Sequence, residues 1–148
     1  MSQDNVDFVR GFYTAGEAMD KEQLLDALPE LIPQICDPEI EWIEDPARAD
    51  SRVYHGHDGV LESFRRWLEN FDEYSFTLEE VVDCGDDVFV VARERARGAA
   101  SGATADAVIY QVITLRGGKI LRFREFYDEA AGRLAAGLQS PAPGTSRR

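Results

Sequence analysis

A change of hydrophobic period near Asn70 constrains this chain more than any other feature. Before it, apolar residues recur every three or four positions; after it, they alternate. The first pattern belongs to helices and the second to strands. Helices gathered early and strands gathered late predict an α+β domain, with helices covering one face of a curved antiparallel sheet. The 148 residues suffice for one such domain.

The early half predicts three helices. From Val6 to Met19, the stripe Phe8, Phe12, Ala15 and Met19 runs beside Val9, Tyr13 and Gly16. From Lys21 to Leu31 the apolar set is Leu24, Leu25, Leu28 and Leu31, with Pro29 and Pro33 predicting a ragged end. A strand at Ile40–Asp45 stops before Pro46, and 47–56 reads as a loop. The third helix, His57–Phe71, carries Val60, Leu61, Phe64, Trp67, Leu68 and Phe71 on one side.

Four strands follow, at Tyr74–Cys84, Val88–Gly98, Thr104–Arg116 and Lys119–Asp128. The last two are joined by Gly117-Gly118, a pair suited to a tight hairpin. A short helical extension fits Glu129–Leu138, and the polar tail 139–148 is predicted to be disordered. The domain is thus residues 6–138, in the order α-α-β-α-β-β-β-β. A curved sheet closed by helices makes a cone with one open mouth, a common place for a small-molecule pocket.

Composition narrows the partners. Sixteen Lys and Arg against 28 Asp and Glu give a net charge of −12, which argues against a nucleic-acid backbone or an anionic membrane. Cys36 and Cys84 form no CxxC pair and read as small core-type residues. The start MSQDNVDF lacks a basic segment followed by an apolar run, and no apolar run approaches the ~18 residues of a membrane span. A cytoplasmic protein is the resulting expectation.

Several local motifs carry a family likeness. They are Val9-Arg10-Gly11-Phe12-Tyr13, Ile43-Glu44-Asp45-Pro46, His55-Gly56-His57-Asp58-Gly59, Gly117-Gly118-Lys119-Ile120 and Arg124-Glu125-Phe126-Tyr127-Asp128. Together with the element order they resemble the nuclear transport factor 2-like superfamily, in its SnoaL-like and ketosteroid-isomerase-like branch, over roughly residues 6–138. The resemblance implies a conical α+β fold, a cavity under the helices, and a homodimer formed through the sheet. Strand Val88–Gly98 adds a hint of its own: Phe89, Val91, Arg93, Arg95 and Arg97 share one face, a mixture suited to a partly exposed or intersubunit surface. The fold hosts isomerases, cyclases, dehydratases, hydrolases and binding modules, so the likeness does not choose the chemistry.

By the same resemblance, Asp45 is the candidate base that shuttles a proton between carbons. Its alternative role is a strand-ending carboxylate that accepts backbone N–H groups before Pro46. Tyr13 stands where the isomerases keep an oxyanion donor, or else it packs against the sheet with its hydroxyl satisfied. Gln111 falls near the position of their protonated Asp and is a weaker donor; a register shift of one residue would bring Tyr110 inward instead. In the last strand Phe123, Glu125 and Tyr127 share a face. An inward Glu125 would have its pKa raised by burial, or would pair with Arg93 or Arg95. With Trp67 and His55, these residues make the expected substrate-binding set. An Arg flanked by two carboxylates, as in limonene-epoxide-hydrolase relatives, is a further arrangement the fold supports, though no motif here selects it.

His55 and His57 lack a third ligand at a fixed spacing, so neither a metal nor another cofactor is expected. Two functions remain in view. One is a cofactor-free isomerase, cyclase or hydrolase moving a proton on a small hydrophobic carbonyl compound. The other is a non-catalytic dimeric ligand-binding or scaffold module.

Overall fold

In helix α1 (Ser2–Glu17) the apolar stripe is extended at its N-terminal side by polar residues, and Gln3 Nε2 donates to Asp7 one turn later at 2.9 Å. The computed structural model describes residues 2–138; the expected disordered tail lies outside the described residues. Helix α2 (Lys21–Ile35) begins with a capping box: Asp20 accepts from the Gln23 N–H at 2.8 Å, and Gln23 returns a bond to the Asp20 N–H at 3.0 Å. It runs through Pro29 and Pro33, past the expected end at Leu31. Both prolines lie on the exposed face, where water can satisfy the carbonyls they leave without a partner. Burial of Leu24, Leu28 and Ile32 on the other face holds the helix together.

Strand β1 (Cys36–Ile43) follows α2 directly, and the expected loop contains a short strand, β2 (Val53–His55), antiparallel to β1. Helix α3 (Gly56–Leu68) stops three residues before the expected Phe71, because the Asn70 side chain donates to the carbonyls of Arg66 and Trp67. The strands β3 (Phe71–Cys84), β4 (Asp87–Gly98), β5 (Thr104–Arg116) and β6 (Lys119–Phe126) form the antiparallel meander. Helix α4 (Glu129–Ala135) closes the described chain, capped by Asp128, which accepts from the Ala131 N–H at 2.9 Å.

The α+β class and the curved sheet stand as expected; the sheet is unclosed and has six strands, one more than expected, because β2 joins it. The strand order is β2-β1-β6-β5-β4-β3. One pairing departs from an all-antiparallel sheet: β1 runs parallel to β6, with Trp42 opposite Phe123 and Ile43 opposite Arg124. A strand separated from the meander by α3 cannot join it through a hairpin, so it adds to the free side of β6 instead. Register shifts within β1 and β3 accompany the bending of the sheet.

Helices α1, α2 and α3 pack on the concave face, where Val9, Leu28, Ile32, Ile40, Val60 and Leu68 meet Val88, Val90 and Ile113. The convex face has its own cluster of Phe89, Val91, Tyr110 and Val112, covered by Ala135, Ala136 and Leu138. Phe89 and Val91 are therefore fully buried within one chain, against the expectation of a partly exposed or intersubunit face. Further along β4, Arg93 pairs with Glu79 at 3.2 Å and Asp106 at 2.7 Å, and Arg97 with Glu73 at 3.0 Å. Among the described residues no helix is long and apolar enough to cross a membrane.

The contact that seats α4 is close enough to test. A Cβ placed on Gly132 would stand 2.8 Å from Tyr110 Cβ, an atom fixed to the sheet backbone. Gly132→Ala should therefore destabilise the protein by about 1–3 kcal/mol, although alanine is the better helix former. Denaturant unfolding measures this; a stability equal to or above wild type would show that α4 seats without that contact.

Candidate functional site

The alternation of β4, β5 and β6 decides which polar groups turn toward the helices. On β4 the concave parity is Val88, Val90, Ala92 and Glu94, so Glu94 is carried inward with its apolar neighbours. On β5 and β6, Gln111 and Glu125 sit directly opposite each other and share the concave face. These groups line a cavity of about 130 Å³ between the sheet and α1–α3, walled mainly by apolar and aromatic side chains such as Phe12, Phe76 and Phe123.

Tyr13 reaches this cavity from α1. Its hydroxyl donates to Gln111 Oε1, and its ring is held edge-on by Phe76 at 5.8 Å. Burial, with the Glu125 and Glu94 carboxyls adding to it, raises the Tyr13 pKa and keeps the phenol protonated. The Gln111 amide NH₂ has no protein acceptor among the described residues and remains a donor for a ligand. Gln111, rather than Tyr110, is thus the inward residue; Tyr110 belongs to the convex cluster.

The two interior glutamates differ in their partners. The Tyr74 hydroxyl donates to Glu94 Oε2. Burial raises the Glu94 pKa, while the Tyr74 bond and the positive field of Arg48 partly oppose the shift. Glu125 has no hydrogen bond from any described residue, nor does it pair with Arg93 or Arg95. Burial first, and the nearby Glu94 second, push its pKa from 4.5 up to about 8, with Arg48 pulling the other way. The result is an acid that holds its proton at neutral pH inside an apolar wall.

Glu44 also reaches the wall, but its carboxylate is occupied. It accepts from the Arg52 N–H at 3.0 Å and from Ser63 Oγ at 3.3 Å, with Arg66 at 3.6 Å. Arg48, from the loop after β1, lies over the Trp67 ring at 5.1 Å and bonds Asp50 at 3.1 Å. A second, more open chamber of about 330 Å³ adjoins the first; the two share Arg48, Trp67, Tyr74 and Glu94.

Asp45 is placed elsewhere. Its Oδ1 accepts from the Ala47 N–H at 2.9 Å and its Oδ2 from the Tyr127 N–H at 2.8 Å, and it does not line the cavity. The strand-ending role is the one the chain adopts. His55 is exposed and lies outside both chambers. His57, next to it, bonds the Cys36 carbonyl at 2.8 Å. Trp67 and Phe123 line the inner chamber, Phe123 stacked on Trp42 with ring centroids 3.7 Å apart, and Tyr127 lines the outer one. Among the described residues no group of three His, Cys, Asp or Glu is arranged to hold a metal ion.

Sequence reading passed over Arg48 and Tyr74 and left the direction of Glu94 open. The signal for Glu94 was present: an acid in step with Val88, Val90 and Ala92 on a strand. Arg48 gave none, since a loop residue has no period.

A family model described as "SnoaL-like domain" matches residues 9–123. No protein of curated function matches the sequence. Among solved structures, an NTF2-like protein of unknown function from Burkholderia pseudomallei K96243 is 20% identical, covering 88% of this chain and 95% of that one, with a TM-score of 0.71. A protein from Jannaschia sp. CCS1, provisionally named a SnoaL-like polyketide cyclase, is also 20% identical, covers 94% of each chain and has a TM-score of 0.71. TerC, co-crystallised with polyporic acid, is 20% identical over 90% of this chain and 98% of that one, with a TM-score of 0.65. At this identity the likeness is one of fold.

The raised pKa of Glu125 has a consequence for stability. In the folded protein the carboxyl keeps its proton to about pH 8, whereas the free group loses it near 4.5. The unfolded chain therefore ionises first, and stability falls as pH rises through that window, by up to roughly 1.4 kcal/mol per pH unit for one group. Glu125→Gln should flatten the fall between pH ~5 and ~8 in thermal melts. An unchanged pH dependence would show that Glu125 ionises normally in the fold.

Proposed function

This chain belongs to the SnoaL-like domain family, and on that premise we propose that it is a cofactor-free enzyme that moves a proton on a small hydrophobic carbonyl compound. The observation that carries the reading is Glu125, a carboxyl in an apolar cavity with no hydrogen bond from any described residue and a pKa of about 8. A group poised near the working pH is suited to give and take protons in turn. In its ionised form Glu125 accepts the proton from carbon next to the carbonyl and returns it to a second position, leaving no net change in protons. The Gln111 NH₂ donates to the carbonyl oxygen as charge builds there. Glu94, held by Tyr74, keeps a second acid within the same wall.

Binding without turnover is the competing reading, favoured by one feature. The Tyr13 hydroxyl already donates to Gln111, so it contributes to an oxyanion site only if a ligand displaces that bond.

The two readings separate in D₂O. Cyclohexanone and 1-indanone are incubated with the protein, and exchange of the hydrogens beside the carbonyl is followed by NMR. Protein-dependent exchange is expected, reduced about 100-fold or more in Glu125→Gln. Asp45→Asn should retain exchange wherever the variant stays folded, since its carboxylate holds backbone. Ketones that bind without exchanging favour the binding module, and exchange unaffected by Glu125→Gln removes that residue from the chemistry.

A further inference from the structure

The inner chamber, at about 130 Å³, is of the size that holds a compact ring. Ordinary small-molecule sites run to several hundred cubic ångströms, and this site reaches that scale only with the outer chamber of about 330 Å³. The residues common to both chambers, Arg48, Trp67, Tyr74 and Glu94, therefore stand beside the middle of any ligand that occupies the two.

Arg48 is the one cationic side chain that lines either chamber among the described residues. Its ion pair is with Asp50, whose side chain is 62% exposed, and not with Glu94 or Glu125. The bonds to Asp50 use only Nη2, leaving Nε and Nη1 without a protein acceptor among the described residues. The Trp67 ring lies under the guanidinium, 5.1 Å from its carbon to the ring centroid, and attracts it. A flat, fork-shaped donor with free N–H groups is matched to a carboxylate or a similarly delocalised oxyanion.

We infer that the natural ligand is a monoanionic aromatic or alicyclic acid, its ring in the inner chamber and its oxyanion on Arg48 at the junction of the two. This names the substrate class for the site proposed above and rests on that reading of the cavity, though not on the proton-transfer step.

The charges around the junction set its pH behaviour. Glu94 and Tyr74 face it from the β4 and β3 side, Glu125 from β6 and Tyr127 just after it, Glu44 from just after β1, and Asp50 from the loop, while Asp45 acts on it only through its field. The tyrosines stay neutral because burial raises their pKa. Burial shifts both Glu94 and Glu125 upward, and Glu125, pushed to about 8, meets an incoming anion in its neutral form near neutral pH. As pH rises past about 8, ionised Glu125 opposes the anion.

The probes are 2-naphthoate and its neutral isostere naphthalene-2-carboxamide, titrated against the full chain by calorimetry and by the fluorescence of the lining tryptophans. The carboxylate should bind about tenfold or more tightly than the amide. Arg48→Gln should erase that preference, and Arg48→Lys should restore part of it; both sit in a solvent-facing loop, and a thermal melt checks folding. Naphthoate affinity should fall about tenfold from pH ~6 to ~10 in wild type, and less in Glu125→Gln. Equal affinity for the two probes, a preference that survives Arg48→Gln, or no naphthoate binding at all each overturns the inference. Ketone exchange without a carboxylate preference would overturn it while leaving the proton-transfer reading standing. Carboxylate preference without exchange would do the reverse.

Discussion

The parallel seam between β1 and β6 is the constraint on which the rest of the structure depends. It joins a strand from the helical half of the chain to the last strand of the meander, with Trp42 and Phe123 opposite each other and stacked. Beyond the last paired residues the Asp45 carboxylate continues the seam, taking one N–H from its own turn and another from Tyr127. Through this splice α3 and the Arg48 loop are held over the concave sheet. Without it the meander would keep its hairpins but lose the wall that carries Trp42, Glu44 and Arg48. An acid that sequence context marks as a proton shuttle is spent instead on holding the cone closed.

The chemistry then falls to carboxyls that the sheet itself turns inward. The concave face is walled mainly by apolar side chains, and burial there raises the pKa of both Glu94 and Glu125. Tyr74 provides Glu94 with a hydrogen bond, whereas Glu125 receives none from the described residues and borders the cavity. The difference separates a group that the fold has satisfied from one left for a ligand. Arg48 moderates both, its positive field lowering each pKa somewhat without pairing with either acid.

Much of the fold was legible because it is written in periods. The switch near Asn70 separated helices from strands, and the Gly117-Gly118 hairpin and the Thr104–Arg116 strand appear where the pattern puts them. The errors have local physical causes. Exposed prolines that read as a stop were carried within α2 by a well-buried opposite face. A three-residue strand such as β2 is too short to show alternation, and it exists because β1 offers it a partner. The full burial of Phe89 and Val91 was not legible because α4, seven residues long, has too little pattern to announce that it folds back over them.

The sequence by itself determined the α+β class and which residues share a strand face, such as Phe123, Glu125 and Tyr127. These follow from alternation, which acts over a few residues. The choice between Gln111 and Tyr110 as the inward residue waited for the fold. Only the tertiary structure decided which acids are chemically free. Asp45 and Glu44 lost that freedom to backbone and side-chain donors, among them Tyr127 and Ser63, that lie far along the chain. Glu125 kept it because no described residue donates to it. Arg48 entered the site because the seam delivers its loop to the mouth of the cavity. A hydrogen-bond partner many residues away has no period to read, and burial is a property of what packs on top.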